Sequence, residues 1–135
     1  MIVSDHDDLI EHLRGIRKVV INACHGGFSL SHQAILLYHR YSGTQIYWRN
    51  LEPSSSWSPR MYYLDAECTD AHSWSETDLM RDDPVLVRVV EELGGEAAGG
   101  AAAVLKVVRI PADVNWCIQE YDGQEWVAEQ HRTWT

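Results

Sequence analysis

The chain reads as an α+β domain: an antiparallel-rich β-sheet with two principal helices packed on it, a C-terminal β-hairpin and a short N-terminal helical extension. Three observations predict this class. The β-branched run Val19-Val20-Ile21 leads into the glycine pair Gly26-Gly27. Two segments repeat apolar residues at helical spacing and stop at glycine. In the last third, Asp122-Gly123 separates two segments rich in strand formers, the strongest short-range hairpin signal.

Residues 1–17 carry Asp5, Asp7, Asp8 and Glu11 among Leu9, Ile10, Leu13 and Ile16, a pattern suited to a short helix with acids in its first turn. They are expected to form an acidic extension, with 18–135 a single domain. A first strand is expected at about 18–24. Gly26-Gly27 then permits backbone angles that other residues resist, and Ser29 or Ser31 caps a helix over about 31–41. There Ala34, Leu37, Tyr38 and Tyr41 share a face, and Gly43 supplies the stop. Gln45–Leu51 and Met61–Leu64 read as a strand pair around the loop Pro53–Pro59.

Residues 66–80 have little periodicity and read as an exposed connection, with Trp74 the one bulky residue expected to dock. Arg81-Asp-Asp-Pro84 starts the second helix with an Asp cap and proline in the first turn. Its stripe is Val85, Val89, Val90 and Leu93, and Gly94-Gly95 ends it. Gly95–Ala103 is almost devoid of side chains that pack, which predicts a mobile surface loop. Val104–Ile110 is a strand stopped by Pro111. A two-residue turn at Asp122-Gly123 sets Tyr121 opposite Gln124. Val114, Trp116, Ile118 and Glu120 then share one face with Glu125, Val127, Glu129 and His131, and Trp126 and Arg132 lie on the other.

Composition bounds the function. The 135 residues suffice for one self-supporting core. A net charge of −9 argues against polymeric nucleic acid and anionic membranes as partners, because either meets a repulsive field. No apolar run approaches the ~18 residues of a membrane span. Cys24, Cys68 and Cys117 lack any paired Cys-x-x-Cys, and the first residues lack a basic, apolar leader, so a reduced cytoplasmic protein is expected.

The strand–glycine–helix segment Lys18–Ser31 places backbone N–H groups where an anion can sit. Six Trp and six Tyr against one Phe add flat rings with polar tips, a mix enriched at binding surfaces. The candidate ligand-binding set is Asn22, His25, Gly26, Gly27, Phe28, Ser29, Ser31, Arg109, Trp116, Trp126 and Arg132. In it a base stacks on Phe28, Trp116 or Trp126, and phosphates meet the glycine amides and an arginine.

Catalytic readings are weaker. Cys24 and His25 are adjacent on extended chain and point to opposite sides. A cysteine-phosphatase loop requires an arginine where Leu30 stands. Glu129 and His131, with Glu120 opposite Glu125, are a poor metal set, and His32 and Tyr38 read as surface and core. No catalytic residue, metal or cofactor is assigned.

Three blocks, KVVINACHGGFSLS (Lys18–Ser31), RDDPVLVRVVEELG (Arg81–Gly94) and LKVVRIPADVNWCIQEYDGQEWVAEQHRTW (Leu105–Trp134), resemble a family of small phage and prophage proteins. His25 stands where that pattern has a tyrosine, and His32-Gln33 replaces acids. The resemblance implies a viral protein at work in the cytoplasm of an infected bacterium. Some phage proteins of this size sequester cyclic ADP-ribose or cyclic-nucleotide immune signals, as the anti-Thoeris and anti-CBASS sponges do. By that analogy the expected function is non-catalytic capture of a small nucleotide-type anion by a homodimer or higher homo-oligomer. The alternatives are an inhibitor that binds a host protein through the hairpin face, and a small hydrolase of such signals.

Overall fold

The computed structural model describes residues 15–51, 59–131 and 134. The expected N-terminal helix therefore lies outside the described residues, except at its last positions. Strand β1 (Ile16–Asn22) runs antiparallel to β5 (Leu105–Pro111), with Val19 opposite Val108 and Val20 opposite Val107. The β-branched run sits at full burial, as its composition requires. β1 starts earlier than expected because Gly15, at φ 71°, turns the chain and accepts from the Ala112 N–H at 2.6 Å.

Helix α1 (His32–Ser42) begins at Ser31, whose hydroxyl accepts from the Ala34 N–H at 3.1 Å. It ends at left-handed Gly43. Helix α2 (Pro84–Leu93) begins at Asp83, whose carboxylate accepts from the Val85 N–H at 2.8 Å. Both helices stand where the capping and stop signals place them. The buried stripe of α2 is Leu86, Val87, Val89 and Val90, not Val85, Val89, Val90 and Leu93. The helix touches α1, β1 and β5, so its covered face is wider than a single-partner stripe.

β2 (Tyr47–Asn50) and β3 (Arg60–Tyr63) form the expected antiparallel pair, and β4 (Ser73–Trp74) adds a short third strand. Residues 66–80 also contain two 3₁₀ turns, Asp70–His72 and Glu76–Asp78, and Trp74 docks on the core. The C-terminal hairpin joins β6 (Trp116–Tyr121) to β7 (Gln124–Glu129), with Tyr121 opposite Gln124 and Glu120 opposite Glu125. The fold is α+β, and among the described residues the strands form three small antiparallel sheets: β1–β5, β2–β3–β4 and β6–β7.

One expectation is corrected. Gly95–Ala103 is not a loose surface loop. It holds a one-turn helix, α3 (Gly95–Ala98), and then packs tightly under the start of α1. Ala98 is fully buried, the Ser31 N–H donates to the Ala98 carbonyl at 2.8 Å, and the Gly100 N–H donates to the Ser29 carbonyl at 3.1 Å. Small residues serve close approach here: a Cβ at Gly95 would overlap the Leu105 carbonyl oxygen, and one at Gly99 would overlap that of Ala103. The core lies between α1, α2 and the β1–β5 ladder, built on Val20, Leu30, Ile35, Leu86 and Val89. Each such side chain contributes about 1.5–3 kcal/mol on burial.

Candidate functional site

The glycine turn is filled by the protein itself. The Gly26 N–H donates to the Asp122 carbonyl at 3.2 Å, and the tip of the β6–β7 hairpin sits so close that a Cβ at Gly123 would overlap the Gly26 and Gly27 nitrogens. Asn22 is fully buried and fully used. Its Nδ2 donates to the carbonyls of Cys24 at 2.7 Å and Gly123 at 2.8 Å, and its Oδ1 accepts from the Val104 N–H at 3.1 Å. Its main-chain N–H donates to Glu125 Oε1 at 2.7 Å. The same carboxylate receives Arg81 in a two-pronged pair at 2.6 and 2.9 Å, while the Arg81 guanidinium lies 3.6 Å from the centre of the Phe28 ring. The turn thus seats the hairpin.

The other candidates do not converge on it. The Ser31 hydroxyl caps α1 and donates to the Ala97 carbonyl at 2.7 Å. His25 is exposed, with Nδ1 3.3 Å from the Asp122 carbonyl. Trp116 and Trp126 occupy opposite faces of the hairpin, so they cannot sandwich one base. Trp126 is exposed, and its indole N–H donates to Gln119 Oε1 at 3.1 Å. Arg109 stands opposite Lys18, four residues along the ladder from Asn22, and Arg132 lies outside the described residues. Ser29 and Ser31 border an open cavity.

That cavity is a cleft of about 510 Å³ between the start of α1, strand β3, the Trp74–Glu76 segment and Gly99–Ala101. Its size suits a small organic ligand. His32 Nδ1 lies 2.7 Å from the Tyr62 hydroxyl, and its ring meets Trp48 edge-on at 4.8 Å. Strand alternation puts Arg60 and Tyr62 on one face, with Trp48 and Trp74 directly across from Tyr62 on the neighbouring strands. Glu76 anchors the rim: Oε2 accepts from the Leu30 N–H at 3.1 Å and Oε1 from the Ser75 hydroxyl at 3.4 Å.

Burial, reinforced by the Arg60 guanidinium, pushes the His32 pKa below its ordinary value. Burial raises that of Tyr62, with Arg60 opposing and Glu76 reinforcing the shift. At neutral pH the pair is imidazole and phenol. Among the described residues no main-chain carbonyl or side chain accepts from the His32 and Gln33 N–H groups, so the positive end of α1 is open beside the cleft.

Sequence reasoning missed this site. His32 reads as surface when taken alone, and Arg60, Tyr62 and Glu76 belong to no motif. The available signal was the pairing of Gln45–Leu51 with Met61–Leu64, which already sets Trp48 near Tyr62.

Behind the cleft, His39 is 3% exposed. Its Nδ1 is 2.7 Å from the Thr44 hydroxyl, its Nε2 has no partner, and its ring meets Trp74 edge-on at 4.7 Å. Burial lowers its pKa. The unfolded imidazole takes a proton near pH 6.5, whereas the folded one resists it. Stability is therefore complete above that pH and is lost as pH falls toward the depressed folded value, at up to about 1.4 kcal/mol per pH unit. Urea unfolding of wild type and His39→Leu from pH 7.5 to 5 is expected to show a shallower decline for the variant. Parallel declines would contradict this assignment.

Among the described residues no three His, Cys, Asp or Glu side chains are grouped to hold a metal ion, and no helix is long and apolar enough to cross a membrane. No protein-family model, curated protein or solved structure matches the chain.

Proposed function

We propose that the protein captures a small anion bearing an aromatic ring, a nucleotide or nucleotide-derived signal, in the cleft between α1 and the β2–β3–β4 sheet, and leaves it chemically unchanged. The observation that carries this reading is the makeup of one cleft. It combines a guanidinium (Arg60), an open helix N-terminus, aromatic walls (Tyr62 and Trp74) and a carboxylate (Glu76). A phosphate suits the first two, a base the rings, and ribose hydroxyls the carboxylate. Stacking at ~1–3 kcal/mol per base and charge-assisted hydrogen bonds give useful affinity without a nucleophile. Because the net charge is −9, capture depends on these local donors and not on a long-range field.

The narrower proposal is that of a phage protein sequestering an immune signal such as a cyclic ADP-ribose or a cyclic oligonucleotide, as a homodimer or larger assembly. Inhibition of a host protein is the second reading. It is favoured by Tyr121 and Trp126, both exposed on one face of the hairpin.

The test is calorimetric titration with AMP, cyclic ADP-ribose isomers and cyclic dinucleotides, followed by heat release and analysis of the compound. Binding with intact release is the expected result, with Arg60→Ala weakening it tenfold or more, since a hydrogen bond to a charged group is worth about 1.5–3 kcal/mol. An altered compound would make the protein an enzyme. No binding across the panel would overturn the cleft reading and favour the hairpin face.

A further inference from the structure

We infer that the cleft has an acid-operated wall: when His39 takes a proton, Trp74 gives way, so that a nucleotide held at neutral pH is released in mild acid. Release rests on the cleft reading above, whereas the movement of the wall stands without it. His39 lies two turns along α1 from His32 and on the same face, so one imidazole borders the cleft and the other sits behind its Trp74 wall. Three rings clasp Trp74: His39 at 4.7 Å, Tyr38 at 6.2 Å and Tyr62 at 6.3 Å between centroids. Nothing around His39 answers a charge. Its neighbours are Tyr38 on its own helix, Thr44 beyond it and Trp74 on β4, all uncharged, and among the described residues no carboxylate pairs with it. Asp83, which α2 brings to this side, is taken by the Tyr38 hydroxyl at 2.6 Å and by the Val85 N–H.

Protonation makes both ring nitrogens donors. Nδ1 keeps the Thr44 oxygen, but Nε2, buried without a partner, must find water. Attraction of an imidazolium to the Trp74 ring is smaller than the cost of a buried, unsolvated charge. Of the rings in the way, Tyr38 is pinned by Asp83, and the Tyr62 hydroxyl lies 2.7 Å from His32 Nδ1. Trp74 has no such tether: among the described residues nothing accepts from its indole N–H, and β4 is two residues long. Trp74 is therefore the ring that yields. By reciprocity, a ligand packed against Trp74 makes His39 harder to protonate, so affinity is complete above the His39 midpoint of the free protein and falls below it. Of the other groups on the cleft, Arg60 keeps its charge and Tyr62 stays a phenol, while a proton on His32 favours an anion and so opposes release. Glu76 is the remaining group whose protonation weakens binding, and a His39 variant retains it.

The wall is read by NMR in the free protein as pH is lowered from 7.5, following the His39 ring and the Trp74 indole N–H, the latter assigned by its absence in Trp74→Phe. Circular dichroism marks the pH at which the fold is lost. Both signals are expected to move with one midpoint, below 6.5, while the fold persists. Binding is read with cyclic ADP-ribose and cyclic dinucleotides, whose phosphates keep their charge over this range. Affinity for wild type is expected to be about twofold lower at that midpoint and to fall by up to about tenfold per pH unit below it, and His39→Leu is expected to remove the fall. A Trp74 signal that stays still while His39 titrates, or that moves only as the fold is lost, overturns the wall. An equal fall in His39→Leu assigns release to Glu76 and overturns the role of His39. If none of these compounds binds wild type at pH 7.5, the cleft reading fails and release fails with it, while the two NMR signals still decide whether the wall moves.

Discussion

Arg81→Ala is expected to lower folding stability by about 3–5 kcal/mol, because it strands a buried carboxylate. The Glu125 side chain is 10% exposed and accepts from both Arg81 nitrogens and from the Asn22 N–H. Without the guanidinium, one main-chain N–H is left to balance a desolvated charge, and Phe28 loses the cation over its ring. Arg81 also donates to the Val20 carbonyl at 3.3 Å, so the same substitution frees an acceptor at the edge of β1. Urea unfolding at pH 7 reads the loss directly. The double variant Arg81→Met with Glu125→Leu is expected to recover much of it, since the unpaired charge is then gone. A loss below about 1 kcal/mol for Arg81→Ala would place the pair in solvent-screened surroundings and remove it as the hairpin's anchor.

Gly95→Ala is expected to cost about 3 kcal/mol, at the upper end of overpacking effects. The atom a Cβ would meet is a main-chain oxygen of Leu105, which cannot swing aside as a side chain can. Relief requires α3 to move off β5, and with it the Ala98 carbonyl that receives the Ser31 N–H at the start of α1. The substitution therefore reaches the cleft through its own frame. Ala97→Ser, on the exposed side of the same turn, is expected to stay within about 0.5 kcal/mol. Comparable melting temperatures for Gly95→Ala and wild type would mean that 95–103 is slack after all.

The helices and the hairpin register were legible because their signals are local. Ser31, Gly43, Asp83, Pro84 and Asp122-Gly123 act through their own backbones, and the structure uses each as its chemistry suggests. The segment Gly95–Ala103 misled for an equally physical reason. Small side chains mean freedom when nothing approaches and tight packing when a strand does, and only the arrival of β5 decides between them. The strand–glycine–helix word was recognised as a turn, but its empty space was not the ligand's. The hairpin, arriving from a hundred residues away, fills it with Asp122 and Gly123. The cleft had the opposite fate. His32, Arg60, Tyr62, Trp74 and Glu76 come from four elements and converge only in three dimensions, so no spacing in the chain announces them.

The most direct test of the central claim is a parallel titration of AMP, cyclic ADP-ribose and cyclic dinucleotides into wild type, Arg60→Ala and Arg109→Ala. Capture in the cleft predicts that at least one compound binds wild type, weakens tenfold or more with Arg60→Ala and is unchanged with Arg109→Ala. Loss with Arg109→Ala but not Arg60→Ala would contradict it and move the site to the β1–β5 ladder.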